Sequence, residues 1–257
     1  MRSGPLLVFD FDGVLVDGME EYWWSARRAA LELARPAGLE LALPEQAPPA
    51  FARLRPLIHK GWEMVLMAAE LGRPDVLLPA TSADYHRCVE AALVRWSWSR
   101  GALQGALEAV RSQAIATDPA AWMARHRFYP GVVERLRRLA SEGADWAVLT
   151  TKGGAFAAQL LAAADLTPRA LYGHEQGSKP EVLLRLQQGE WDGDGPIWFI
   201  EDRRPTLELV RATAGLERVR CFLVSWGYLA PHDGQALPAG IHWLDPAHFT
   251  APLALWP

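Results

Sequence analysis

Two carboxylates stand two residues apart near the start of the chain, at the end of an apolar run. Asp10 and Asp12 follow residues 6–9 and precede Gly13. A buried strand accounts for the apolar run, but strand stability gives no reason for two ionisable groups where the strand leaves the sheet. Such a pair is costly unless a cation or a reaction uses it. Because ligands of open α/β sheets bind beyond the carboxyl ends of the strands, we predict a reaction centre here.

Three later segments place polar side chains at the ends of apolar runs or before a helical pattern. Thr150 and Thr151 end one run, Lys179 precedes a helical pattern, and Glu201 and Asp202 end another run. Each has an ordinary structural explanation when it is taken alone. Thr150 could cap a helix, an isolated lysine before a helix usually faces solvent, and acids at a strand end can complement a helix N-terminus.

Together and in this order, the four segments resemble the four signature motifs of the haloacid dehalogenase-like superfamily, most of whose members are magnesium-dependent phosphatases. The resemblance covers almost the whole chain and is nearest to the branch of β-phosphoglucomutase and phosphoglycolate phosphatase. It implies an α/β fold with a doubly wound parallel sheet, the Rossmann-like core of this superfamily, and an inserted α-helical cap domain. It also implies that Asp10 is the nucleophile that forms an aspartyl-phosphate and that Asp12 is the general acid and base. Thr150 would hold a phosphate oxygen, and Lys179 would neutralise nucleophile and phosphate.

The expected chemistry needs more positive charge than one lysine. A carboxylate and a phosphate repel each other by about 4 kcal/mol per pair of unit charges near a protein surface. The resemblance implies Mg²⁺, held by the carboxylates of Asp10 and Asp202 and by the backbone carbonyl of Asp12. Glu201 stands where the commonest fourth motif has glycine, and Thr206 stands where that motif has a later acid. The Glu-Asp pair nevertheless resembles the β-phosphoglucomutase-like form, so Glu201 is expected to be a direct or water-mediated ligand.

Five further residues are expected to contact substrate: Gly13 and Thr151 in the core, and Arg55, His59 and Lys60 in the cap. Gly13 would let the backbone approach a ligand closely. The three basic residues stand at the start of a predicted helix, where cations do not complement the helix dipole and an anion would help. The alternative is a basic face that meets only solvent. Arg203 and Arg204 could offset the charge of the acids, bind substrate or face solvent, and solvent exposure is the default expectation.

The elements that must position these residues fall into two groups. Between the first two motifs, apolar periodicity predicts helices over 19–34, 56–71, 84–96 and 103–115, separated by prolines. After residue 130 the pattern alternates, with strands predicted over 146–151, 170–172, 197–201, 219–225 and 241–244. Such alternation is typical of a doubly wound parallel sheet. We predict that residues 1–18 and 128–257 form the catalytic core and that residues 19–127 form the helical cap.

Composition narrows the class of protein. The chain has 257 residues, 50% of them hydrophobic, which is enough for a substantial core. A net charge of −4 gives no basic surface for nucleic acid, and two cysteines are too few for a disulfide framework. No apolar run is long enough for a membrane span and the N-terminus does not read as a signal peptide, so we expect no membrane partner and a cytoplasmic location.

Together with these observations, the resemblance implies a Mg²⁺-dependent phosphatase of a small phosphorylated metabolite, as a monomer or homodimer. A phosphosugar mutase would use the same core and differ in the cap. A haloalkanoate dehalogenase is less favoured, because that chemistry needs neither Asp12 nor a metal-binding acid pair. A catalytically silent metabolite-binding regulator on the same fold is the alternative from another class. The intact set of acids, threonine and lysine argues against it, whereas Glu201 and Thr206 leave room for it.

Overall fold

A six-stranded parallel sheet carries the four motifs. The computed structural model describes residues 4–76, 78–79 and 81–257. The strands are β1 (Leu6–Phe9), β2 (Val16–Asp17), β3 (Arg127–Phe128), β4 (Asp145–Leu149), β5 (Ala170–Tyr172), β6 (Ile197–Glu201), β7 (Arg220–Val224) and β8 (Ile241–Leu244). The order in the main sheet is β5-β4-β1-β6-β7-β8, and each neighbouring pair is parallel. The predicted fold class is therefore confirmed.

The topology places β1 in the middle of the sheet, between β4 and β6. Phe9 is in register with Val148 on one side and with Ile200 on the other. The residues that follow these three strands therefore leave the sheet side by side at its carboxyl edge. The strands β1, β4 and β6 are almost completely buried, which explains why they appear in the sequence as continuous apolar runs.

Helices accompany the strands of this part of the chain: α7 (Val132–Arg138), α8 (Gly154–Ala163), α9 (Lys179–Arg185), α10 (Arg204–Ala212) and α11 (Pro246–Thr250). The short antiparallel pair β2 and β3 was not predicted, because two-residue strands leave no periodic pattern. Contacts divide the chain into a core unit, Met1–Asp17 with Arg127–Pro257, and a helical unit, Gly18–His126. The role of the helical unit as a cap stays a prediction.

The helical unit contains α1 (Met19–Ala34), α2 (Pro49–Leu54), α3 (Gly61–Leu71), α4 (Ser82–Trp96), α5 (Arg100–Thr117) and α6 (Pro119–Met123). A buried ion pair joins two of them, because the Arg111 guanidinium on α5 donates to both carboxylate oxygens of Glu21 on α1 at 2.7 and 2.6 Å. Side-chain caps fix several helix starts, and Ser99 accepts the amide N–H of Ala102 at the start of α5. No helix among the described residues is both long enough and apolar enough to cross a membrane.

The helix predicted over residues 56–71 is wrong in its first turn. Pro56 belongs to a separate 3₁₀ turn, Arg55–Leu57, and Ile58 and Lys60 are extended. The helix α3 begins only at Gly61. Apolar residues keep a helical spacing across residues 58–60 although the backbone there is not helical. Periodicity in the sequence therefore does not detect the break between the 3₁₀ turn and the helix.

Candidate active site

The carboxyl edge of the central strands brings three predicted site residues together. Asp10 follows β1 and its amide N–H donates to the carbonyl of Ile200 on β6 at 2.8 Å. Thr150 follows β4, and its amide N–H donates to the carbonyl of Tyr172 on β5 at 2.9 Å. Asp202 directly follows β6 and is buried, as are Asp10 and Thr150. The sheet thus holds the backbone of these positions before any side chain makes a contact.

Lys179 lies between two of the acids. Its Nζ is 2.9 Å from Asp10 Oδ2 and 2.6 Å from Glu201 Oε2, and all three side chains are buried. The start of α9 positions the lysine, because Ser178 and Glu181 form a capping box in which the Ser178 amide donates to Glu181 Oε2 at 2.7 Å. Burial lowers the pKa of Lys179, but the charges of Asp10 and Glu201 outweigh burial and raise it to about 12.

The acids outnumber the cation in this buried cluster. Burial, and then the charge of Glu201, raise the pKa of Asp10 to about 7, despite the opposing effect of Lys179. Burial also raises the pKa of Glu201. One carboxylate oxygen from each of Asp10, Glu201 and Asp202 lies within 4.8 Å of the others. Three buried carboxylates around a single ammonium group leave negative charge uncompensated, and oxygen ligands suit a hard divalent cation. These residues therefore fit a metal site.

Two glycines allow the chain to close tightly around Asp202. Gly13 has φ +89°, and a Cβ atom there would lie 2.0 Å from Asp202 Oδ2. A Cβ at Gly227 would lie 2.3 Å from the Asp202 Cβ and 2.5 Å from the Gly13 carbonyl oxygen. The amide N–H of Tyr228 donates to Asp202 Oδ2 at 2.8 Å. The glycine of the first motif is thus needed because the backbone passes directly against this carboxylate.

We expect Gly13→Ala to disrupt the site through this contact, beyond the cost of its positive φ. Gly143 is the matched control, since it has φ +76° in the same unit but no atom within 4 Å of an added Cβ. Both alanine variants pay the backbone cost of about 1 kcal/mol or more, whereas only Gly13→Ala displaces Asp202. Thermal unfolding should show that Gly13→Ala loses at least as much stability as Gly143→Ala. Assays of phosphate-ester hydrolysis should show a loss of activity in Gly13→Ala alone. Equal activity in the two variants would contradict this role of Gly13.

A buried lysine that was not predicted contacts Asp12. Lys152 Nζ lies 3.2 and 3.3 Å from the two carboxylate oxygens of Asp12, and the amide N–H of Lys152 donates to the Thr150 hydroxyl oxygen at 3.0 Å. One feature of the sequence could have pointed to this lysine. The chain has 26 lysine and arginine residues in total, but lysine occurs only at positions 60, 152 and 179. Two of these three lysines are buried among the site acids, and each supplies a compact point charge there.

We expect Lys152→Met to lower kcat by about 10-fold or more, since Asp12 would lose the group that orients its carboxylate. Arg218→Met is the control, because Arg218 is an exposed basic residue of the same core unit and is not among the predicted site residues. Steady-state kinetics on one phosphate ester should separate the two variants. A Lys152 variant with wild-type kcat would show that the contact with Asp12 has no part in turnover.

A segment after β7 completes the surroundings of the first motif. Trp226 Nε1 donates to the Val14 carbonyl at 3.0 Å, and the Tyr228 hydroxyl donates to Asp17 Oδ1 at 2.8 Å. These contacts join positions more than 200 residues apart, so no local pattern predicts them. Arg204, for which solvent exposure was the default expectation, instead donates to Glu208 at 2.8 Å and to the Gln235 carbonyl at 2.7 Å.

The remaining predicted site residues have less defined surroundings. Thr151 is exposed beside Thr150. Arg55 donates weakly to the Ile58 carbonyl at 3.4 Å, and its guanidinium lies 5.0 Å from the ring centre of Tyr22. The amide N–H of His59 donates to Glu63 at 2.8 Å. Lys60 is the exposed residue before α3. Substrate contact by Thr151, Arg55, His59 and Lys60 stays a prediction.

Comparison with solved structures identifies the fold. A predicted phosphoglycolate phosphatase from Haemophilus somnus is 17% identical, with a TM-score of 0.58 over 97% of this chain and 96% of that one. A haloacid dehalogenase-like hydrolase from Streptococcus pneumoniae is 17% identical, with a TM-score of 0.56 over 96% and 97% of the two chains. A candidate β-phosphoglucomutase from Thermotoga maritima is 19% identical, with a TM-score of 0.54 over 96% of each.

The chain therefore has the haloacid dehalogenase-like fold, as the four motifs predicted. Comparison of the sequence with protein-family models gives no match. Comparison with curated proteins gives no match either.

Proposed function

We propose that the protein hydrolyses the phosphoric monoester of a small metabolite through an aspartyl-phosphate on Asp10. One observation carries the proposal: the buried carboxylate of Asp10 lies 2.9 Å from the Nζ of Lys179, beside two further buried acids, at the carboxyl edge of the central strands. An ion pair that served stability alone would gain little from two extra buried acids. The same arrangement suits a nucleophile that must meet an anionic substrate.

The chain's own residues account for the two half-reactions. Both oxygens of Asp10 are held, since Oδ1 accepts the amide N–H of Phe11 at 2.7 Å and Oδ2 faces Lys179. In the first step a carboxylate oxygen of Asp10 bonds to phosphorus as the ester P–O bond breaks, and Asp12 gives a proton to the leaving alcohol. In the second step Asp12 takes a proton from water, which attacks phosphorus as the bond between phosphorus and the Asp10 oxygen breaks, so that inorganic phosphate leaves and the Asp10 carboxylate is restored. Thr150 and Lys179 are placed to bind the phosphoryl oxygens.

The proposed cofactor is Mg²⁺, held by Asp10 and Asp202, with Glu201 as the third acid of the cluster and the Asp12 carbonyl as the further predicted ligand. When bound, it would supply the positive charge that offsets the repulsion between carboxylate and phosphate. Both oxygens of Glu201 already have partners, Lys179 at 2.6 Å and the amide N–H of Arg203 at 3.1 Å. Glu201 therefore holds Lys179 in addition to adding charge to the cluster, and we take Asp202 as the main ligand from the fourth motif.

The substrate class is proposed from the same chemistry. Structures of similar fold are described as a phosphoglycolate phosphatase and a β-phosphoglucomutase, and both of those activities handle small phosphorylated metabolites. We propose hydrolysis, with the phosphosugar mutase as the alternative. The core residues are shared by both reactions, so the products of the reaction must separate them.

A panel of phosphate esters assayed with and without Mg²⁺ tests the proposal. The panel should include phosphoglycolate, hexose 1- and 6-phosphates and an aryl phosphate. We expect inorganic phosphate to be released from at least one ester, and the release to stop when EDTA removes the metal. Isomerised hexose phosphate without phosphate release would favour the mutase. If neither inorganic phosphate nor isomerised hexose phosphate forms from any ester, a catalytically silent metabolite-binding regulator would be favoured.

Metal binding is expected to depend on pH. Without a bound cation the pKa of Asp10 is raised to about 7, so the carboxyl group is mostly protonated below that pH. A metal ligand must be deprotonated, so Mg²⁺ affinity should rise with pH and level off above pH 7. One pH unit below the pKa, affinity should be about 10-fold weaker than the plateau value. Titration calorimetry in two buffers of different ionisation enthalpy should detect proton release at pH 6. An affinity that is constant from pH 6 to 8 would contradict the assignment of Asp10 as a ligand.

A further inference from the structure

A cavity of about 540 Å³ opens to the surface of the helical unit between α1, α5 and α6, and several of its lining residues, Arg28 and Asp118 among them, are exposed. This volume is typical of small-molecule sites. The helix α1 contributes Trp24, Arg28 and Glu32, which recur every four residues and so share one face. The cavity takes no part in the chemistry proposed above.

Two cations are held at the cavity by one aromatic ring. The guanidinium carbon of Arg28 lies 4.4 Å from the ring centre of Trp24, and that of Arg125 lies 4.7 Å from the same centre. Arg125 also donates to the Ala121 carbonyl at 2.5 Å. Neither arginine takes part in an ion pair within the described part of the chain. Arginines that are already ordered against a ring lose little further entropy when they bind an anion.

The rest of the lining sets the size and charge of the ligand. Val110, Ala114 and Ala121 form an apolar wall, and the two alanines leave room where larger side chains would fill the groove. Glu32 and Asp118 also line the cavity, so its two cations face two acids. Asp118 caps α6, because its Oδ1 accepts the Ala121 amide N–H at 2.9 Å. A second negative charge on the ligand would meet these acids, which favours a monoanion over a phosphate dianion.

We propose that this cavity binds a small organic monocarboxylate with an apolar body. The carboxylate lies against the guanidinium groups of Arg28 and Arg125, where bidentate hydrogen bonds are available. The apolar body packs on Val110 and Ala114. A cationic ligand is disfavoured, because the two guanidinium groups already lie against the Trp24 ring that would otherwise attract it.

Three probes that share a phenylethyl body and differ in the polar head group test the proposal: 3-phenylpropionate, 3-phenylpropan-1-ol and 3-phenylpropylamine. Calorimetry and ligand-observed NMR on the full chain should show saturable binding of the carboxylate with a dissociation constant on the order of 1 mM or tighter. The alcohol and the amine should bind at least about 10-fold more weakly. Equal binding of the alcohol, tighter binding of the amine, or no saturable binding of the carboxylate up to about 10 mM would overturn the proposal.

Substitutions in the cavity test whether the carboxylate binds there. Arg28→Gln and Arg125→Gln should each weaken carboxylate binding by about 5-fold or more, since each removes a charged donor. Ala114→Leu should block binding by filling the groove while keeping both cations, and leucine is compatible with the helix. Arg53→Gln is the control, because Arg53 is an exposed arginine of the same unit outside the cavity. Circular dichroism checks that each variant folds. Undiminished binding by the folded Ala114 variant, or equal losses in the Arg53 control, would show that the ligand binds elsewhere.

Discussion

Asp10→Asn is expected to abolish turnover, with kcat/KM reduced by more than about 10³-fold, because an amide cannot form the acyl-phosphate. The substitution keeps the size of the side chain and an oxygen that can accept the Phe11 N–H. Phosphate release from the best substrate of the ester panel is the measurement. A folded Asn variant that retained more than a few per cent of the wild-type rate would rule out the covalent mechanism.

The stability of the same variant supplies an independent readout. In the folded, metal-free protein the pKa of Asp10 is raised from 3.8 to about 7, chiefly by burial. The folded state therefore binds more protons than the unfolded state between these values, and the wild-type free energy of unfolding should fall as pH rises from about 4 to 7. In EDTA at pH 8, Asp10→Asn should melt at a higher temperature than the wild type. A lower melting temperature there would show that the Asp10 charge stabilises the metal-free fold.

Asp202→Asn is expected to produce the second large effect. Its Mg²⁺ affinity should fall by more than about 100-fold, and its activity should be lost as well. Replacing groups that merely orient a metal ligand costs 10- to 100-fold in affinity, so replacing a direct ligand should cost more than about 100-fold. The asparagine oxygen can still accept the Tyr228 amide N–H that Asp202 Oδ2 accepts at 2.8 Å, so the local fold should persist.

Glu201→Gln is the matched control for Asp202→Asn. It removes one carboxylate from the same buried cluster and keeps one oxygen acceptor, where Glu201 uses two, one for Lys179 and one for the Arg203 amide N–H. We expect its Mg²⁺ affinity to fall by about 10-fold or less. If calorimetry found unchanged affinity in Asp202→Asn, or a larger loss in Glu201→Gln, the assignment of these two acids would be wrong.

The parts of the site that lie at strand ends could be predicted from sequence. Asp10, Thr150 and Asp202 each follow an apolar run, and parallel strands bring such positions to one edge of a sheet. The start of α9 also has a local signal that the sequence analysis did not use, because Ser178 and Glu181 have the spacing of a capping box. In these cases the local pattern and the tertiary structure agree.

Other contacts had no local signal. Lys152 reaches Asp12 across 140 residues, and Tyr228 reaches Asp202 only because Gly227 leaves space for the chain to pass. The pairing of Glu201 with Lys179 at 2.6 Å was likewise not predicted, since the acid had been considered only as a metal ligand or as a charge beside a helix N-terminus. These contacts depend on how strands and loops meet, which single-sequence patterns do not specify.

Direct detection of the phosphorylated aspartate tests the central claim most directly. The protein would be mixed with Mg²⁺ and its fastest substrate labelled in the phosphoryl group, quenched in acid within one turnover, and digested for mass spectrometry. We expect one labelled phosphoryl group on the peptide that contains Asp10, and no label in Asp10→Asn or in the presence of EDTA. Rapid phosphate release by the wild type with no label on that peptide, or with label on another residue, would contradict the account.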